Sequence, residues 1–264
     1  MSAQDTQPES AQASATAPAL PIEQAIHSLS LDDLLRAAAD PALTAELALA
    51  LLERGDLRGE VLERLATNRF LLKLRKVKIA LASHPKTPRH VSVPLIRQFY
   101  TFDLMKVAFS PVVPADVKRT AEEMLIARLK TVTLGERLTL ARQASGMIAG
   151  ALLLDSEPRV MRTALENARL TEASVVKAVL KREAGAALIQ AVSHHAKWSC
   201  RRDVQVALLR SEHLSLARAR AFSRGISPPP LREILQNSRL PARFKDELLR
   251  EKSKEPGADS GAKS

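Results

Sequence analysis

Apolar residues along this chain recur at helical intervals and break off every dozen residues or so. Leu74, Val77 and Leu81 stand at i, i+3 and i+7, on one face of a helix. Val175, Val176, Val179 and Leu180 form a second stripe. No convincing stretch alternates apolar with polar residues, so no sheet is predicted. Between the stripes one kind of punctuation returns: Asp40-Pro-Ala-Leu-Thr44, His84-Pro-Lys-Thr-Pro88, Ser110-Pro-Val-Val-Pro114, Asn167-Ala-Arg-Leu-Thr171, Ser211-Glu-His-Leu-Ser215 and Asn237-Ser-Arg-Leu-Pro241. Each opens with a residue that can stop a helix or close a turn through its side chain. Each ends in Thr, Ser or Pro, residues suited to starting the next helix. Asn68 and His194-His195 mark looser versions.

The marks fall at 40, 68, 84 and 110, then at 167, 195, 211 and 237, each pair 127 positions apart. In that register residues 40–125 lie over 167–252 without a gap. Arg75–Leu81 then falls on Arg202–Leu208, and Leu43-Thr44 on Leu170-Thr171. Identities are few, and the correspondence is one of hydrophobic phase. A tandem duplication and a plain array of helix pairs both remain open, and both give the same architecture. A short helix pair cannot bury its apolar stripe alone, so neighbours must stack on it. The predicted fold is all-α, an α-solenoid of short helix pairs.

The expected organisation is a disordered tail over 1–20, a first helical half over 21–130, an irregular joint over 131–150, a second half over 151–252 and a disordered tail over 253–264. The joint is expected because Gly135, Gly146 and Gly150 depart from the pattern. Ser227-Pro-Pro-Pro230 is expected to be a stiff extended connector, since proline is excluded from helix interiors.

Composition agrees with helices: aromatics are 3% of the chain, with one Trp and one Tyr. The single Cys200 excludes an intramolecular disulfide and Cys-rich metal sites. The N-terminus has no signal-peptide pattern, and the best apolar run, Met147–Leu154, is far short of the about 20 residues of a membrane span. A soluble, cytoplasmic protein without membrane contact is expected.

Charge changes the picture. The net +11 is uneven: residues 1–63 hold 11 acids and three bases, the remainder 18 acids and 37 bases. A basic body suits an acidic or polyanionic partner. The candidate polyanion-binding residues are Lys73, Arg75, Lys76 and Lys78, then Lys177 and Lys181, then Arg201 and Arg202. Aromatic side chains for stacking single-stranded bases are nearly missing, which leaves contact with a duplex backbone.

Catalytic constellations are scarce. His194, His195 and Cys200 could supply a base and a nucleophile. Adjacent helical side chains diverge by about 100°, however, so the two histidines do not converge on one ion. The acid pairs Asp32-Asp33, Glu122-Glu123 and Asp246-Glu247 are neighbours in sequence and are not opposed around a substrate. No phosphate-cradling Gly-rich motif occurs. No catalytic, cofactor or metal residue is therefore assigned.

Val77–Pro88, ending Leu-Ala-Ser-His-Pro-Lys-Thr-Pro, and Val160–Thr171, ending Leu-Glu-Asn-Ala-Arg-Leu-Thr, resemble bacterial HEAT-like helical repeats. They look most like the leucine-rich-repeat-variant type, whose units end in an Asn-Pro-x-Thr-Pro-like turn. The resemblance covers about residues 30–250. It implies a HEAT-like superhelix and a scaffold role, and it names no ligand. Some members carry a cysteine cluster for an iron–sulfur centre, which one Cys cannot supply. The expected function is a non-enzymatic scaffold binding a protein partner along one face. Nucleic-acid binding through the basic face is the alternative, and an enzyme of unknown type is the third reading.

Overall fold

The computed structural model describes residues 20–254. Among the described residues there are seventeen α-helices, two 3-10 turns and no strand. The chain divides into two compact units: residues up to Gln98 with Pro111–Val117, and Phe99–Ser110 with the chain from Lys118 onward.

The first unit holds α1 (Ile22–Ala25), α2 (Leu31–Ala39), α3 (Ala45–Leu52), α4 (Gly59–Thr67), α5 (Arg75–Ser83) and α6 (Arg89–Arg97). In it α2 packs on α4, and α3 on α5. Next come α7 (Thr101–Phe109), in the second unit, and α8 (Ala115–Arg128), which the two units share. The second unit continues with α9 (Leu134–Gln143), α10 (Gly146–Leu152), α11 (Pro158–Leu165) and α12 (Glu172–Leu180). It closes with α13 (Ala186–His194), α14 (Arg202–Leu209), α15 (Leu216–Ser223), α16 (Pro228–Gln236) and α17 (Ala242–Lys254). Within it α9 packs on α11 and α11 on α13, while α10 packs on α12, α12 on α14 and α14 on α16. In each of these pairs a helix packs on the second one along. Helices of seven to ten residues are marginal alone in water, so this stacking is what holds them.

The punctuation marks are helix ends. Asp40, Asn68, His84, Ser110, His195 and Asn237 are C-caps, and Asn167 and Ser211 follow one residue after theirs. Several of their side chains accept from the backbone two residues on. Asp40 Oδ1 accepts from Ala42 N at 2.7 Å, Asn68 Oδ1 from Phe70 N at 3.1 Å, and Asn167 Oδ1 from Arg169 N at 2.7 Å. The histidines do the same with a ring nitrogen: His84 Nδ1 accepts from Lys86 N and His195 Nδ1 from Lys197 N. Thr44 and Thr171, one register apart, both cap the next helix by accepting from Leu47 N and Ser174 N.

A second set of bonds reaches back to an earlier helix end. Arg54 donates to the carbonyls of Ile26 and Ser28, and His84 Nε2 to that of Arg54. Asn167 donates to the carbonyls of Ala141 and Ala144, and Trp198 Nε1 to that of Leu165. Arg128 bonds the carbonyl of Phe99, and Lys252 that of Arg224. The last carbonyls of a helix have no intrahelical partner. Here a residue 23 to 33 positions later supplies one.

The 127-residue register returns in the helices. α2 through α8, omitting the 3-10 turn between α4 and α5, begin 127 positions before α11 through α17 respectively. α4 and α13 match to the residue at both ends, as do α7 and α16. Leu43 and Leu170, Leu65 and Val192, Leu81 and Leu208, and Leu104 and Leu231 are all buried pairs in this register. Leu71 and Trp198 share a buried position, at which the second half carries the larger side chain.

Three expectations need correction. Residues 131–150 do not form an irregular joint: α9 and most of α10 lie there, α9 opened by a capping box between Thr133 and Glu136. Ser227-Pro-Pro-Pro230 is no extended connector. Pro228–Pro230 form the first turn of α16, where a missing N–H costs no intrahelical bond. Ser253 and Lys254, read as tail, are the last residues of α17. The rest of the two predicted tails lies outside the described residues, apart from the exposed Leu20.

Candidate functional site

The layer made by α10, α12 and α14 carries two adjoining concavities. On α12, Val175, Ala178 and Val179 are buried. At about 100° per residue, Val176, Lys177 and Leu180 then turn to the open side. Between them and Val206, Ala207 and Arg210 of α14 runs a groove of about 950 Å³. Val176 and Val206 are half-buried, and Leu180 is 42% exposed. A second groove of about 520 Å³ runs between α10 and α12, lined by Met147, Ala151, Lys177 and Lys181. Lys177 and Lys181 form the ridge between the two.

Glycine lets α10 sit close. A Cβ on Gly146 would lie 2.4 Å from the Arg169 carbonyl oxygen, and one on Gly150 would lie 3.0 Å from Ser174 Cβ. The first distance demands a backbone shift, and the second is a tight contact that Ser174 must yield to by a few tenths of an ångström.

Charge is sorted along the larger groove. Glu172 and Asp203 lie in the first turns of α12 and α14, at the positive ends of the helix dipoles. Lys181 and Arg210 lie just past the last turns of the same helices. Among the described residues, no ion pair is formed by Lys177, Lys181 or Arg210, and Arg210 Nε is buried without a hydrogen-bond partner. The wall is apolar, and its C-terminal end is basic.

Of the eight candidate polyanion-binding residues, Lys177 and Lys181 line both grooves together, and the other six line neither; His194 and His195 line a separate hollow of about 420 Å³ with Glu166. Arg201 and Arg202, the N-cap and first residue of α14, are exposed and line neither groove. Lys73, Arg75 and Lys76 are exposed around the start of α5 in the first unit, and Lys78 is half-buried there. Sequence reasoning passed over Val206, Arg169 and Arg210. The stripe Val175, Val176, Val179 and Leu180 held the available signal, because it is wider than burial of one helix face requires.

Hydrogen bonds tie the His194, His195 and Cys200 side chains to their surroundings. His195 Nδ1 accepts from Lys197 N, so Nε2 carries the proton and donates to Glu166 Oε1 at 3.1 Å. His194 Nδ1 lies 2.9 Å from the Gln190 carbonyl oxygen, and Cys200 Sγ donates to the carbonyls of Ala196 and Lys197. Among the described residues no group of three His, Cys, Asp or Glu could hold a metal, and no helix is long and apolar enough to cross a membrane.

Comparison with protein families, curated proteins and solved structures finds no match to this chain.

Proposed function

We propose that this chain is a non-enzymatic scaffold, a HEAT-like solenoid of two related halves, that binds a protein partner along the α10–α12–α14 face. The observation that carries the reading is the pair of adjoining grooves, apolar along the wall and basic at one end. Leu180 and Met147 are exposed there and Val176 is half-buried, while Val175, Ala178 and Val179 of α12 and Ile148, Ala149 and Leu152 of α10 are buried. Contiguous exposed apolar surface with a polar rim marks an interaction site. The packing of α9 on α11 and α13, and of α10, α12, α14 and α16 one on the next, supports the solenoid, and the shared helix starts at 127 residues support the two halves.

The test is site-directed photo-crosslinking in cells. A crosslinker at Val176 or Leu180 is expected to trap a discrete partner that Leu180→Glu abolishes, while one at the exposed Ala187 of α13 traps none. Equal trapping from both layers, or none from either, refutes the reading.

Binding to a duplex backbone is the second reading, favoured by the exposed Lys73, Arg75 and Lys76 within one turn of each other. It predicts a steep fall of log affinity with log salt. It also predicts further loss on Lys73→Glu with Lys76→Glu, or on Arg201→Glu with Arg202→Glu. A flat salt series removes it.

A further inference from the structure

We infer that the α12–α14 groove receives an acidic amphipathic helix of the partner, its carboxylates meeting Lys177, Lys181 and Arg210; this rests on the scaffold reading above. The groove wall offers Val176 and Leu180 at i, i+4 on one side and Val206 on the other. That spacing matches apolar anchors one helical turn apart. Among the described residues there is no strand, so an extended peptide finds no edge on which to add. From Glu172 to Leu180 the groove runs about 12 Å at 1.5 Å per residue, room for two turns of a helix.

Charge sets the class and the direction. Lys177 and Lys181 also stand at i, i+4, parallel to the apolar anchors, and Arg210 faces them across the groove. A carboxylate between Lys181 and Arg210 would be held by two cations. Glu172 and Asp203 at the other end repel acids and so fix which way the occupant lies. The basic end belongs to the second half alone. In the 127-residue register Lys177 falls on Ala50, Leu180 on Glu53 and Arg210 on Ser83. Lys181 falls on Arg54, whose guanidinium is already taken by Asp56 and the carbonyls of Ile26 and Ser28. The charge is therefore not a by-product of the repeat.

The full chain is panned against a displayed library of helical peptides about 14 residues long, with randomised flanks around an i, i+4 apolar pair. Enriched peptides are expected to carry Asp or Glu on the flanks and to bind less tightly as salt rises. Lys177→Glu with Lys181→Glu is expected to weaken them at least about tenfold and to turn selection toward basic flanks. Both lysines are exposed, so the melting curve should hold; Lys177→Gln with Lys181→Gln gives a milder loss as an internal check. Enrichment of neutral or basic peptides, no enrichment, or binding indifferent to both double variants overturns the inference. If crosslinking from Leu180 still traps a partner in that case, the scaffold reading stands and only the acidic helix falls. If that crosslink is also absent, both fall.

Discussion

Asn167→Ala should cost the second unit about 3 kcal/mol, although it removes only an amide. Asn167 is 4% exposed, and its side chain makes three bonds: to the carbonyls of Ala141 at 2.8 Å and Ala144 at 3.2 Å, and from Arg169 N at 2.7 Å. A net bond is worth about 0.5–1.5 kcal/mol, and a buried group left unpaired costs about 1–3. Water can reach the exposed Arg169 side of the turn, so the lower end applies there and the higher end at the two carbonyls. Trp198 is the chain's single tryptophan, is 2% exposed and lies in the same unit, so its fluorescence reports that unit in a urea titration. With a slope of about 2–3 kcal/mol per molar urea, the midpoint should fall by about 1–1.5 M. Asn167→Asp keeps the acceptor for Arg169 N but sets a carboxylate against two carbonyls. It should be at least as damaging at neutral pH and partly recover once protonation restores a donor. A midpoint shift below about 0.2 M for Asn167→Ala would refute the idea that these turns are held by their side chains.

Leu81→Arg and Leu208→Arg occupy the same register position, and both wild-type side chains are fully buried. Each substitution should destabilise its own unit by several kcal/mol in thermal melts, and wild-type melting in both would mean the buried faces are misassigned. Gly146→Ala should cost about 1–3 kcal/mol, because its Cβ would meet the Arg169 carbonyl, whereas Gly135→Ala in α9 meets nothing within 4 Å and should gain about 0.5–1 kcal/mol. The Arg54 hydrogen bonds hold the Asp56 carboxyl down at about 2, from 3.8. A depressed carboxylate adds stability above its unfolded value and loses it as pH falls through the folded one. The difference between wild type and Asp56→Asn should therefore shrink from pH 4 to pH 2, and a constant difference over that window would contradict the pairing.

The helix ends were legible because their chemistry is local. Asp40, Asn68, His84 and Asn167 announce turns through bonds to backbone two residues on, which a sequence displays directly. The stripe through Val77 and Leu81 was legible for the same reason. The course of 131–150 was not, because Gly146 reads as a breaker until the Arg169 carbonyl that requires it is in place. Pro228–Pro230 misled because three prolines suit either an extended strand or a first helical turn, and only Ser227 as N-cap decides between them. The groove could not be read at all. It exists where α12 lies beside α14, and the sequence separation of Lys181 and Arg210 conceals that they face one space.

The bonds by which several turns close an earlier helix end bear on how far a local opening can spread. No such side-chain bond among those described reaches further back than Trp198 to Leu165. Losing one of these donors therefore frees carbonyls no more than about one helix pair away. Amide hydrogen exchange should accordingly open in blocks of about that size, each fraying with little effect on helices further along the chain.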